Sequence, residues 1–477
     1  MSLFSEVLKE FVEKSHISVR KLSLELNMDR TLFHKYLSGI RIPKSFEEVQ
    51  NISHAMMLLP AQQKILSEAY AKSIYGEKSY QSFEKIRQIL EGMYDLRIQN
   101  NFGKMEVSEE LFPSKEDGSS FYGRLQVEDA LIRLFYRAVS EKDGACVMVR
   151  MMVQPDLEPI IRTILRLSCR FQLEFEHIIC LDCRRSDNDN IGLLLPVLAF
   201  EFGEAPYQSY FYYDNMDHRL NSIHLLPNMI LIGNYVFLCS KDADEALIIR
   251  QNAEVEFFRR TYEQVRRNTE KLGIANHNAV TLEETLKLCS EEEKIDLKIG
   301  YFPCLTAAIT EMMFRQHFKL DADSKEKVLF FIQQNQAYLT GAHPFQNYVS
   351  ERGLRRFLEE GILPEYPVDI LEPFSIKERI SIVNRLVQLL KTGAFSFYLA
   401  DEEQFHMEET VTVYAGVQGN VHFWLNHGAY GHTVTVKESG IGETIHSFVD
   451  FAIKTGLFYD RSQTVERIER LVLEYSN

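Results

Sequence analysis

The sequence predicts a multidomain protein: an all-α head of five short helices followed by a large α/β (α+β) body. Three observations carry that expectation. Within the first 75 residues, apolar stripes recur at helical spacing between recognisable caps. Beyond residue 120, short β-branched and aromatic runs alternate with long amphipathic stretches. Charge is also unevenly spread. Residues 1–78 hold eleven Lys/Arg against nine Asp/Glu, a balance of +2, which leaves −17 for the rest of a 477-residue chain of formal net charge −15. A body that acidic repels a polyanion, so any nucleic-acid contact falls to the head.

The head reads element by element. Leu3, Phe4, Val7, Leu8 and Phe11 share one face of a first helix over 3–14. Ser18 caps a second, "VRKLSLEL", which turns Val19, Leu22 and Leu26 inward. "NM" makes a tight turn, and Asp29 caps a third helix whose inward stripe is Leu32, Phe33, Tyr36 and Leu37. Gly39 ends that helix and Pro43 prevents its early resumption. Ser45 and Glu48 have the S-x-x-E spacing of a capping box for the fourth helix, "FEEVQNISHAMM", and the fifth covers about 61–73.

The stripe leaves Arg30, Thr31, His34 and Lys35 pointing away from the core. Two short helices joined by a tight turn, the second with a polar outer face, fit a DNA major groove. Arg30 has the fork to pair with a guanine edge; Thr31 and His34 reach neighbouring bases. Lys35 is placed for a phosphate. Ser18, Arg20, Lys21, Arg41 and Lys44 flank the helix over the sugar–phosphate backbone, where contacts set register rather than sequence. From Lys14 to Lys44 seven basic residues face only Glu25 and Asp29. A generic bundle with a solvated basic face is the bland alternative, and a protein-interaction module is a third.

The stretch "ISVRKLSLELNMDRTLFHKYLSGIRIPKSFEEVQNISHAM" resembles the Cro/phage-repressor (XRE-type) helix-turn-helix family. The matching positions are Ile17–Ser18, Leu22–Ser23, Leu26–Asn27–Met28–Asp29, and Gly39 to Pro43. Two departures stand out. The usual Gln near the start of helix two is Val19, which removes one phosphate contact. The usual turn Gly is Asn27, which tolerates the left-handed conformation. The resemblance covers the head alone. It implies double-stranded DNA as partner of residues 1–75 and a homodimer on a two-fold site.

Residues 78–98 form another amphipathic helix. It can serve as a dimer seam or pack on its own body; we expect the seam, built from Phe83, Ile86, Leu90 and Met93. A polar connector follows. The expected division is head 1–75, linker helix and connector 76–119, α/β lobe 120–275, mainly helical segment 276–365, and a second α/β lobe 366–477. Residues 236–265 and 421–452 share one plan: strand, polar loop, strand, acidic turn, amphipathic helix. Read as a duplication, this gives two similar lobes; the plan is also a common one. A paired-lobe body resembles phospholipase D-like folds, but the H-x-K-x4-D motif is absent from both halves, so no catalytic residue carries over.

Chemistry is otherwise hard to find. The P-loop, the Rossmann glycine fingerprint and H-E-x-x-H are missing. Cys180 and Cys183 have metal spacing without a second pair, and Cys180 ends an apolar run, so a buried thiol is the expectation. Residues 207–219 are aromatic-rich, a core strand or the wall of a ligand pocket. We expect no catalytic residue, no metal and no cofactor. The apolar run Ile191–Gly203 is too short for a membrane span and broken by Pro196. Acids in the first sixteen residues argue against a signal peptide, and seven scattered cysteines suit reduced thiols. These features suggest a cytoplasmic one-component transcriptional regulator, with a body that senses a small-molecule or peptide effector. The rivals are an enzyme or defence-type effector with a DNA-binding head, and a peptide-pheromone-responsive regulator. The last needs a helical repeat, and the strands of the body argue against one.

Overall fold

The head folds as five helices: α1 (Leu3–Ser15), α2 (Val19–Glu25), α3 (Arg30–Leu37), α4 (Phe46–Ala55) and α5 (Pro60–Tyr75). The computed structural model describes residues 2–15, 17–92, 119–142, 145–182, 190–203, 205–214, 226–276, 295–341, 345–366, 369–417, 419–427 and 430–476. The capping residues act as their types dictate. Ser18 accepts from the Lys21 amide, Asp29 from the Thr31 and Leu32 amides, and Ser45 from the Glu48 amide. Each such cap contributes about 1 kcal/mol. Asn27 takes φ +46° in the turn, and Gly39 takes φ +74° just after α3. The head core gathers Phe4, Leu8, Leu22, Phe33, Val49, Ile52 and Leu66, all fully buried.

After Gly76 comes α6 (Glu77–Leu90), then β1 (Ser120–Tyr122), α7 (Arg124–Ser140), β2 (Val147–Met152), α8 (Glu158–Ser168) and β3 (Leu173–Asp182). Next are α9 (Asn190–Glu201), β4 (Tyr207–Asp214), β5 (Asn228–Ile232), β6 (Tyr235–Cys239), β7 (Glu245–Ile249) and α10 (Asn252–Arg266). Two short strands follow, β8 (Glu270–Lys271) and β9 (Gly273–Asn276), then β10 (Ile295–Gly300), α11 (Glu311–His317) and α12 (Ala322–Leu339). The chain continues through β11 (Gln346–Val349), α13 (Glu351–Glu360), α14 (Ile376–Thr392), β12 (Ser396–Leu399) and β13 (Val411–Gly416). It ends with β14 (Asn420–His427), β15 (Tyr430–Lys437), α15 (Ser439–Lys454) and α16 (Arg461–Ser476).

Packing divides the chain into two units. One comprises Met1–Glu91, Thr281–Val417 and Glu443–Asn477; the other comprises Gly92–Val280 and Gln418–Gly442. The head is therefore built into a unit with the second half of the body, rather than set apart by a linker at 76–119. In the other unit the strand order is β1-β7-β6-β5-β2-β3-β4-β8. There β2, β3 and β4 run parallel, joined by the crossover helices α8 and α9. β5, β6 and β7 form an antiparallel meander beside β2, and β1 lies antiparallel on β7. The covered faces explain why β3 is buried along nearly its whole length. The same unit holds the antiparallel set β14-β15-β9.

In the unit with the head the order is β12-β11-β10-β13, with the first three parallel and β13 antiparallel. That order and sense repeat β4-β3-β2-β5. Likewise β14-β15-β9 repeats β6-β7-β1, and each hairpin is followed by a helix, α10 or α15. The two sheets thus share one strand order and sense. The segment expected to be mainly helical over 276–365 holds α11, α12 and α13, and it also supplies two parallel strands that the sequence did not announce, β10 and β11. Both are short, and the buried Lys298 and Asn347 interrupt the apolar pattern that announces such strands. Among the described residues no helix is long and apolar enough to cross a membrane.

Candidate nucleic-acid interface

The best-formed candidate surface is the outer face of α3 with its flanks. Phe33 and Tyr36 are buried, and Leu32 and Leu37 are half-buried against the head core. A helix turns 100° per residue, so anchoring those positions turns Arg30, Thr31, His34 and Lys35 outward. All four are exposed. Arg30 and His34 lie one turn apart, as do Thr31 and Lys35, which gives two adjacent polar stripes. Asp29 stands at the helix start. Hydrogen bonds from the Thr31 hydroxyl and from the Thr31 and Leu32 amides hold its carboxyl below the usual range. Asp29 therefore spends its charge on the helix terminus instead of repelling a phosphate.

The flanking residues are placed as the sequence requires. Ser18, Arg20, Lys21, Arg41 and Lys44 are all exposed. Among the described residues none of Arg20, Lys21, Arg30, Lys35, Arg41 and Lys44 sits in an ion pair. Elsewhere the basic residues are commonly paired, as Arg352 is with Glu402 and Arg355 with Glu351. The head thus presents a set of uncompensated cations, while body residues such as Arg352 and Arg355 are paired.

Glu48 was read from the sequence only as one half of a capping box. Its carboxylate does more. Oε2 accepts from the Lys44 amide at 2.8 Å and Oε1 from the Tyr36 hydroxyl at 3.1 Å. The reach-back thus lands one residue before Ser45, and it ties the loop carrying Arg41 and Lys44 to the buried side of α3. Burial and the Glu48 charge push the Tyr36 hydroxyl up to about 12, so it stays a donor at neutral pH. The Arg41 amide also donates to the Lys35 carbonyl at 3.1 Å. The signal for this was present, because Tyr36 and Glu48 are both polar residues on buried faces of neighbouring helices.

The expected dimer seam is occupied within the chain. Phe83, Ile86 and Leu90 are 3%, 2% and 1% exposed. Phe83 packs its ring 4.8 Å from Phe451 and 6.3 Å from Phe448, both on α15. Tyr75 and Tyr80 meet Phe451 edge-on. Arg87 donates to the Gln404 carbonyl and the Glu408 amide to the Leu90 carbonyl. The amphipathic stripe is real, and its partner is the body of the same chain. Met93 lies outside the described residues. Where the sequence predicted a buried thiol, Cys180 is fully buried; Cys183 lies outside the described residues. The aromatic run from Tyr207 begins as core strand β4.

No protein-family model matches the chain, and no curated protein matches it. Among solved structures it is similar to TrmBL2, an archaeal chromatin protein reported with a novel mode of DNA binding. That likeness has 12% identity and a TM-score of 0.19, over 47% of this chain and 71% of the other. It is also similar to the phosphatidylserine synthase of Haemophilus influenzae Rd KW20, with 9% identity and a TM-score of 0.23, over 75% of this chain and 92% of the other. At scores this low neither likeness carries an argument about fold or activity.

Proposed function

We propose that this chain is a sequence-specific, DNA-binding transcriptional regulator of the helix-turn-helix type, with a body that reads a ligand or partner and does no chemistry of its own. One observation carries the reading. Arg30, Thr31, His34 and Lys35 are exposed on a helix held by Phe33 and Tyr36, with unpaired cations on both flanks. In this role α3 enters the major groove, Arg30, Thr31 and His34 meet base edges, and Ser18, Arg20, Lys21, Lys35, Arg41 and Lys44 meet the backbone. A single head covers too little duplex for specificity, so two chains act on a two-fold site. Their contact lies elsewhere than the α6 stripe. Because α6 is packed on α15, a change in the body reaches the head through a rigid element rather than a loose tether.

The test is selection of bound genomic fragments by the full-length protein, with the Arg30→Ala/His34→Ala protein in parallel. Enrichment of one paired-half-site sequence by the parent alone is expected. Arg41→Ala should weaken all sequences and lower the salt slope by about one unit, whereas Arg30→Ala changes preference. Equal, sequence-independent losses in all three variants would overturn the assignment.

A further inference from the structure

A cavity of about 400 Å³ lies at the carboxyl end of β2. The chain runs outward from β2 through β3 to β4, then returns to place β5 on the other side of β2. Strand order therefore reverses beside this end, the position where open α/β sheets form their ligand crevices. The loop after β2, the start of β5, the hairpin between β6 and β7, and Arg124 at the start of α7 supply the walls. The backbone there is firmly held. His177 Nε2 meets the Val153 carbonyl at 2.6 Å. The next amide, that of Gln154, donates to Asn228 Oδ1 at 3.2 Å, and the Gln154 carbonyl accepts the Leu157 amide at 3.0 Å. Asn228 Nδ2 donates in turn to the Ser240 carbonyl at 3.2 Å, which fixes the hairpin. The side chain of Gln154 has no such use: its Oε1 is buried and accepts no hydrogen bond. Gln154 is half-buried, and a turn of its terminal amide, a soft torsion, brings that oxygen to the cavity face.

The charges of the lining sort by what already engages them. Arg124 lies 3.2 Å from Glu128, and Glu158 pairs with Arg162. Lys241 and Asp242, both exposed on the hairpin, make no ion pair among the described residues. One ammonium, one carboxylate and one orphan amide oxygen are thus uncommitted around a single cavity, and Leu157, Pro159 and Pro227 add apolar surface. Two cations and three carboxylates line it in all, so neither sign dominates. Complementarity to such a lining calls for a ligand that carries both signs. We infer that this cavity binds a compact zwitterion of the α-amino-acid class: its carboxylate meets Lys241, its ammonium meets Asp242 and Gln154 Oε1, and its side chain rests on Leu157, Pro159 and Pro227. The volume lies near the lower end of the range for small-molecule sites, ~300–1,000 Å³, which suits a single amino acid. Calling that ligand an effector rests on the regulator reading; its binding does not.

The experiment uses full-length protein without DNA at neutral pH. The standard L-amino acids are titrated calorimetrically one by one. Saturable one-to-one binding of at least one is expected, weakened at least tenfold in Lys241→Met, in Asp242→Asn and in Gln154→Met. It should be unchanged in Lys9→Met, an exposed position of the other unit. The amide of the bound amino acid lacks the carboxylate and its deamino acid lacks the ammonium; each should bind at least tenfold more weakly. A second measurement needs no variant. Amide hydrogen exchange, read by mass spectrometry, should slow over 154–158 and 240–245 when the amino acid is bound. Failure of every amino acid to bind, or slowing that leaves both segments untouched, overturns the site. An amide or deamino acid that binds as tightly as the parent overturns the zwitterion. Binding with no effect on DNA selection would leave the site standing and remove only its role as effector.

Discussion

His177 and Asn347 hold corresponding places in the two lobes. Each lies on the middle of three parallel strands, β3 or β11, and each is at most 1% exposed. Each turns a side-chain nitrogen to a carbonyl in the loop that follows the first parallel strand. His177 Nε2 meets the Val153 oxygen at 2.6 Å, and Asn347 Nδ2 donates to the Cys304 oxygen at 3.3 Å. Their neighbours differ. Across the ladder from His177 stands Met151, and across from Asn347 stands Lys298. The first lobe completes its polar row with neutral groups, the Tyr207 hydroxyl at 2.7 Å from His177 Nδ1. The second completes it with an ion pair, Lys298 Nζ to Glu365 Oε1 at 2.8 Å, where Lys298 is 2% exposed. One topological position accepts two electrostatic solutions, provided that a nearby loop supplies the partner.

The largest expected effect comes from breaking the charged solution. Glu365→Leu leaves the Lys298 ammonium buried without its carboxylate. Burial pulls the Lys298 pKa down, and Glu365 foremost among its neighbours reverses that and holds it above the usual value. Removing one partner of such a pair costs about 3–5 kcal/mol. Adding Lys298→Met gives the second lobe the residue type that the first has at Met151. The double variant should regain most of the loss, because an apolar replacement of a buried pair is often close to neutral. Urea unfolding followed by far-UV circular dichroism checks both. A double variant as weak as the single would show that Lys298 is needed for more than charge balance.

A smaller effect separates the lobes by pH. Burial depresses the His177 imidazole to about 4 from 6.5, so the folded lobe binds fewer protons than the unfolded chain between those values. Its stabilising contribution is complete above pH 6.5 and is lost as pH falls through about 4, some ~3 kcal/mol in all. Glu201 works the other way. Burial raises its carboxyl to about 7 from 4.5, while a Ser209 hydroxyl bond opposes the rise. Its contribution is complete below pH 4.5 and is lost as pH rises through about 7, again ~3 kcal/mol. Between pH 4.5 and 6.5 the two slopes oppose. Glu201→Gln should therefore make the lobe gain stability from pH 4.5 to 6.5, against a flatter parent. Urea unfolding followed by far-UV circular dichroism across this pH range checks it. A parent and variant with parallel profiles would remove Glu201 from the account.

The comparison also explains what was legible. The head could be read because its signals are local: Ser18, Asp29 and Ser45 cap by hydrogen bonds to residues two or three ahead, and Asn27 and Gly39 adopt the conformations their types favour. The α6 stripe was readable as a buried face, but a stripe does not name its partner. Phe448 and Phe451, which cover it, lie more than 300 residues away in sequence. The strands β10 and β11 were missed because Lys298 and Asn347 look like surface residues until Glu365 and the Cys304 carbonyl are seen beside them. The hairpin-helix plan of 236–265 and 421–452 was read correctly because each copy is contiguous. The strand order that the two sheets share depends on long-range pairing.

The smallest effect tests whether the neutral solution is as tightly specified as the charged one. Ser209 lies on β4 opposite His177, and its hydroxyl donates to Glu201 Oε1 at 2.6 Å while accepting the Gly273 amide at 3.2 Å. An added Cβ at Gly273 would fall 2.7 Å from that same carboxylate oxygen, so the bare backbone is what allows the close approach. Ser209→Ala removes a donor and an acceptor, yet Glu201 can keep its proton and the chain loses only one small bonded group. A cost of about 1–2 kcal/mol follows, read as a shift in the urea midpoint by far-UV circular dichroism. Removing the hydroxyl also removes a hydrogen bond that favours the carboxylate, so the pH at which the Glu201 contribution is lost should move upward. That displacement distinguishes a polar partner from a mere space filler, since a packing defect would lower the whole profile without shifting it along the pH axis.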